Sequence, residues 1–320
     1  MREAHFIKQN KDNWLKFERA LTENKPISPD ELSRLYLQVS DHLSYSQTFY
    51  PGSNTSTYLN ALASKAHQKI YRNKKESRNK LIRFFTQDFP KEFYVYRFQF
   101  YLSFFLFLIF AAIGAFSSAT DAGFVRVIMG DAYVNMTMEN IANNDPMAVY
   151  KQMNEMDMFL GITINNIRVA LYAFVFGILL GIGSVFIIMQ NAVMLGSFQY
   201  FFYDQGLFWE SARTIWIHGT IEIFVIIVAA SAGLVVGKSI LFPGTYTRLA
   251  SFIRGVKVGL KIVLSTVPFF IIAGFLEGFV TRQTQMSDSL AILIIGASLI
   301  LMLFYYVYLP FRLNNKPSNG

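Results

Sequence analysis

Five long apolar runs between residues 98 and 309 limit what this chain can fold into. Runs 98–116, 169–189 and 290–309 hold no charged residue; 221–237 carries Glu222, and 258–279 carries Lys261 and Glu277 near its ends. A helix needs about 20 apolar residues to cross a hydrocarbon core of about 30 Å. Backbone polar groups find no water there, so a span must be a helix or part of a closed barrel. Continuous apolar runs without alternation select the helix. The expected fold is therefore all-α: a polytopic helical membrane bundle of about five spans. Composition agrees, because 53% of residues are hydrophobic and only 16% are charged, against about 25% charged in soluble domains.

The N-terminal third is different in kind. Residues 1–97 hold 17 Lys/Arg and 10 Asp/Glu, a net +7 of the whole chain's +8, and contain no long apolar run. No signal peptide is expected, so the first span would itself direct membrane insertion. A basic segment fused to a span marks the cytoplasmic side, and nucleic acid is not an expected partner. Residues 1–95 read as a cytoplasmic basic helical domain. Ser28-Pro29-Asp30-Glu31 is a capping box with Pro at the first helical position, followed by Leu32, Leu35, Tyr36, Val39 and Leu43 at helical spacing. Residues 50–54 form a turn cluster, and 55–72 form a second amphipathic helix with Leu59, Leu62, Ala66 and Ile70 on one side. The basic run 72–83 would meet anionic lipid headgroups, each basic residue contributing about 1 kcal/mol. Residues 81–90 read as an interfacial helix ended by Pro90.

Charge also bears on topology. Segment 118–166 holds six acids and two basic residues, Arg126 and Lys151, which places it outside and the N-terminus inside. Its Met-rich part, 136–158, is expected to form a helix along the outer surface. Five crossings would then put Lys238, Arg248, Arg254 and Lys257 outside, together with the polar tail 313–320, against the usual bias. The conflict disappears if region 192–237 enters the membrane and returns, as a re-entrant segment or as two short crossings. The other resolution is a charge rule weakly obeyed after the first spans. The returning segment is the expectation, within a bundle occupying residues 96–312.

The polar residues in these runs are few. His218 and Glu222 lie four apart and share a helix face, with Gly219 between them, Arg213 upstream and Glu277 in a later run. Ionisable groups in hydrocarbon usually face a partner, a cavity or water. The bland reading is structural, with these groups hydrogen-bonding one another; a proton or ion relay is the sharper one. Metal chemistry is disfavoured, because a His-x-x-x-Glu pair gives two ligands where a catalytic zinc takes three plus water. Asn165 and Asn166 read as the capped mouth of the span starting at 169. Gly177-x-x-x-Gly181 and Gly233-x-x-x-Gly237 let helix backbones approach closely. No cysteine is present, which removes thiolate metal sites and Cys nucleophiles. No Walker sequence or nucleophile elbow appears. No catalytic residue, metal or cofactor is expected.

Several stretches together carry a likeness: Asn165-Asn166-Ile167-Arg168, Gly177 to Gly183, Asn191 to Gly196, His218-Gly219-x-x-Glu222, and Phe275-Leu276-Glu277-Gly278 through Thr281. Over roughly residues 80–310 the chain resembles the stage II sporulation protein M family. The resemblance implies a bacterial cytoplasmic-membrane protein without known catalytic activity. In spore formers the family member works in a complex that remodels peptidoglycan; other relatives occur beside membrane proteins and a MoxR-type ATPase. The expected function is a non-enzymatic cell-envelope component that assembles with partners or with another copy of itself. The alternative is a gradient-driven transporter or lipid flippase using the His/Glu cluster.

Overall fold

The computed structural model describes residues 2–22, 28–70, 80–151, 153–283 and 286–315, and these are helical with no strand among them. The chain divides into two compact units, Met1–Lys80 and Leu81–Gly320.

The first unit is a three-helix head: α1 (Glu3–Thr22), α2 (Pro29–Phe49) and α3 (Asn54–Ile70). Ser28 Oγ accepts from the Glu31 backbone N–H at 3.2 Å and Pro29 opens α2, as the capping box requires. The Glu31 carboxylate reaches instead to Lys16 at 3.1 Å. Each helix contributes one apolar stripe: Phe6, Trp14 and Phe17 from α1, Leu35 and Val39 from α2, and Leu59, Leu62 and Ala66 from α3. Polar pairs seal the margins, with Trp14 Nε1 donating to His42 Nδ1 at 2.9 Å and Tyr58 donating to Glu18 at 2.9 Å. The expected helix over 55–72 is present as α3 as far as the described residues run, to Ile70. Arg72, Lys74, Lys75 and Arg78 of the basic run lie outside the described residues; Lys80 and Arg83 lie within them.

The second unit begins with α4 (Lys80–Arg83), a π-helical turn (Phe84–Asp88) and α5 (Phe89–Val95). Pro90 does not end a helix here. It occupies the first turn of α5, where its missing N–H costs nothing. Phe89, Pro90 and Phe93 are buried against the bundle, Phe89 and Phe93 both meeting the Tyr306 ring. Segment 81–95 thus folds with the bundle rather than with the head.

The bundle consists of α6 (Arg97–Thr120), α9 (Glu155–Val175, extended by a 3-10 turn to Ile178), α10 (Ile182–Asp204), α11 (Phe208–Leu241), α12 (Arg248–Phe275, extended by a π-helical turn to Thr281) and α13 (Asp288–Leu303). Through a further π-helical turn (Phe304–Tyr308), α13 continues into α14 (Leu309–Asn314). Among the described residues, six helices are therefore long and apolar enough to cross a membrane. This corrects the run read as one span over 169–189. The chain turns inside it, at Leu179–Gly181, where Leu180 and Gly181 take φ of 55° and 87°. Region 192–237 falls in two long helices, α10 and α11, that form a hairpin. This is the pair of crossings named beside the re-entrant segment, with full-length helices in place of short ones. Smooth hydropathy hid this turn because its residues, Phe176, Ile178, Leu179, Leu180 and Ile182, are apolar and exposed.

The glycine pairs explain how that turn is held. A Cβ on Gly177 would strike the Gly233 backbone, and one on Gly237 would strike Leu180 and Gly181. The two G-x-x-x-G motifs face each other, α9 lying on α11. Hydrocarbon gives no hydrophobic drive between helices, so close backbone approach supplies the attraction. The result centres the bundle on α11: 83% of its most apolar window is buried, against 22% for α6, α9 and α13.

Charges segregate to the two ends. At the end where α6 begins, Lys261 bonds Glu92 at 2.6 Å and Tyr305 donates to the Phe85 carbonyl at 3.1 Å. Arg97, Lys238, Arg248, Arg254 and Lys257 stand at the same termini of their helices. At the far end, Arg213 pairs with Asp288 at 2.7 Å, and Arg282 bonds the Met153 carbonyl at 2.9 Å beside Glu155. A cap of α7 (Ala122–Met129), α8 (Asp131–Ala142) and a 3-10 turn (Ala148–Lys151) covers that end. The single helix expected over 136–158 is thus broken, at Asn143 and at Asn144, which takes φ of 56°.

Candidate functional site

The far half of the bundle encloses the polar cluster. One apolar face of α11 would suffice to hold a two-layer bundle, but α11 is surrounded, so its His218 and Glu222 are turned into protein. His218 retains only 5% of its accessible surface. From α12, the π-helical turn Leu276–Thr281 brings Glu277 and Thr281 against the same ring. A π turn adds one residue to the loop closed by each hydrogen bond, and such turns are frequent at functional sites. His218 Nδ1 lies 3.0 Å from Thr281 Oγ1, and His218 Nε2 lies 3.7 Å from Glu277 Oε2. One ligand atom from each of His218, Glu222 and Glu277 fits within 4.8 Å of the other two.

From α9, buried Asn166 lies beside Glu222, its Nδ2 without a partner in hydrogen-bond geometry. The cap closes the site from above: the Tyr150 ring stands 5.9 Å from the His218 ring. Burial, then the carboxyl of Glu277, pushes the Tyr150 phenol well above its ordinary range. A cavity of about 330 Å³ lies beside the cluster, lined by Tyr133, Tyr150, Asn191, His218, Gly219 and Glu222 among others. A second cavity of similar size, also about 330 Å³, reaches Glu277 from the other side of Tyr133 and Tyr150. Buried polar groups flanked by cavities are what ligand sites are made of.

Not every residue singled out from sequence joins this group. His218, Glu222, Glu277, Gly219 and Asn166 do. Arg213 does not: it sits a turn and more nearer the far end, held by Asp288 and the Met286 carbonyl. Asn165 is exposed on the outer face of α9, and the two asparagines are not the mouth of a span, because α9 starts at Glu155. Gly177, Gly181, Gly233 and Gly237 serve the other half of the bundle. Sequence reasoning missed Tyr150 and Tyr133, and quoted Asn191 only as part of the likeness; no spacing marks any of the three as a site residue. Thr281 had a signal, since it stands four residues after Glu277.

The shift in the start of α9 exposes another feature. Arg168 is the fourteenth residue of the 24-residue apolar helix Glu155–Ile178 and is exposed, away from α11. At 1.5 Å per residue it lies about 20 Å from one end and about 15 Å from the other.

Six long apolar helices around a buried centre define a multi-pass helical membrane protein. Residues 103–282, more than half of the chain, match the family model of Stage II sporulation protein M, and the chain belongs to that family. Residues 4–72, the head, match a separate family, described as a domain of unknown function (DUF8413). No curated protein and no solved structure matches the chain.

Proposed function

We propose that this chain is a non-enzymatic component of a bacterial cytoplasmic-membrane complex, assembling in the cell envelope through partner proteins. Arg168 carries the reading. A charged side chain at mid-depth costs about 2.5–3.5 kcal/mol on insertion scales, and such residues usually face a partner or an aqueous cavity. Among the described residues Arg168 faces neither. Beside it on the same face, Gly161 has open space around it and Asn165 is exposed. That face fits a transmembrane helix with a carboxylate at matching depth. A second copy related by a two-fold axis along the membrane normal would set Arg168 against its own kind.

The charge segregation supports an orientation with the α6-start end inside, since cytoplasmic ends favour Lys and Arg. Six crossings put both termini on that side, and the conflict of five crossings disappears. The head then lies in the cytoplasm, where it is suited to dock a soluble partner such as an ATPase of the MoxR type. The run 72–83 is suited to anionic headgroups.

The test is cross-linking in native membranes followed by mass spectrometry on wild type, Arg168→Leu and a deletion of residues 1–80. A stoichiometric membrane partner lost in Arg168→Leu, with the bundle still folded, is the expected result. Recovery of self-copies alone from wild type would end this reading. Weight would then move to a gradient-driven passage, which the cavity beside His218 and Glu222 favours, and which flux in liposomes with Glu222→Gln would check.

A further inference from the structure

We propose that His218, Glu222 and Glu277 bind one divalent transition-metal ion. The first argument is charge. Two carboxyl groups and an imidazole converge in an apolar interior, and burying an isolated carboxylate is costly unless it is paired or bound to metal. No Lys or Arg among the described residues is there to pair them. Arg126 is held by Asp131, Lys151 by Asp145, Arg213 by Asp288 and Arg282 by the Met153 carbonyl beside Glu155. Arg168 points outward. One divalent cation between two carboxylates and a neutral imidazole leaves no net charge.

Geometry is the second argument. Ligand atoms at about 2.1 Å from a tetrahedral metal lie about 3.4 Å apart. His218 Nε2 and Glu277 Oε2 are already 3.7 Å apart, too far for a hydrogen bond and close to the edge of such a site. Rotation of the two glutamates brings the third ligand in from within 4.8 Å. The imidazole is oriented for this role: with Nδ1–H donating to Thr281 Oγ1, the Nε2 lone pair faces the carboxylates. Metal-bound histidines almost always have their other nitrogen held this way.

The third argument is the Asn166 amide. Its Nδ2 is buried and its side chain is directed at the Glu222 carboxylate, short of strict hydrogen-bond geometry. A carboxylate drawn onto a metal presents its second oxygen to such a donor. One imidazole and two carboxylates suit zinc, manganese or ferrous iron rather than the softer ions that seek sulfur. Three protein ligands leave a coordination position toward the cavity beneath Tyr150, as in open zinc sites. The sequence paired His218 with Glu222 and left Glu277 as the candidate third ligand; the π-helical turn on α12 brings it to the pair.

The experiment uses the full-length protein in detergent, stripped with a chelator and titrated with Co²⁺ and then Zn²⁺. Metal content after desalting and the visible cobalt spectrum are the two readouts. The expected result is about one metal per chain, with a cobalt spectrum that zinc abolishes. Glu277→Gln and His218→Ala should abolish both signals. Thr281→Val should keep the stoichiometry but weaken affinity about 10- to 100-fold, the usual effect of losing an outer partner. Size-exclusion profile and helical circular dichroism show which variants fold, and wild type decides by itself if the ligand variants do not. Folded wild type without a cobalt spectrum, or with no more metal than Glu277→Gln, would overturn the proposal. Neither outcome depends on Arg168 or on any partner.

Discussion

The head and the bundle bury side chains by opposite rules. In the head, apolarity marks the inside: Phe17 and Leu59 have no exposed surface, while Lys16 and Glu31 pair in solvent. In the bundle, apolarity marks both sides. Phe105, Leu293 and Ile300 are more than 60% exposed, whereas Ser184, Ser197, Ser231 and Thr266 are buried and hydrogen-bonded. Water drives the first arrangement, because each apolar side chain moved inward leaves solvent. Lipid offers no such gain, so the bundle is held by close contact of small residues and by polar groups satisfied inside it. In a chain like this, the small and polar residues report the interior of the bundle.

The sharpest way to break that contrast is to remove one phenylalanine from each region. Phe17→Ala should cost the head about 3–5 kcal/mol, read from urea unfolding of residues 1–80 and enough to unfold much of it. Phe105→Ala on the outer face of α6 should leave the thermal stability of the detergent-solubilised bundle nearly unchanged. Equal losses would mean that the outer face of α6 is a protein interface.

A smaller effect tests the other half of the rule. Gly233→Leu, set against Ser184 and the Ala173 carbonyl, should cost about 1–3 kcal/mol or more by overpacking, seen as earlier thermal aggregation. Gly296, with open space around it, should accept leucine without change.

The smallest effect concerns pH. Burial, partly offset by Asp41, lowers the pKa of His42 in the head, and its Nδ1 accepts from Trp14. A folded pKa below the unfolded value means fewer protons bound in the folded state. The contribution of His42 is then complete above about pH 6.5 and is lost as pH falls through the depressed value. The melting temperature of the head should fall between pH 7.5 and 5, and His42→Gln should flatten that slope.

What was legible in the sequence follows from these rules. The capped start of α2 and the stripe of Leu35 and Val39 could be read directly, because a soluble helix shows its buried face as a period. Membrane character and the helical class came from run length alone. The turn at Leu179–Gly181 could not be read, because its residues are as apolar as the spans it joins. Misplacing it misplaced Asn165, Asn166 and Arg168, which moved from a helix mouth to the middle of α9. The glycine motifs were visible as sticky faces, but not that they face each other.

By itself, then, the sequence determined that this protein is a helical membrane bundle with a basic helical head, because hydrocarbon thickness and backbone hydrogen bonding admit little else. Only the tertiary structure decided the six-helix arrangement, the turning away of Arg213 to Asp288, and the meeting of Glu277 with His218 and Glu222. Those features depend on residues more than fifty positions apart sharing a depth and a face, and no local spacing encodes that.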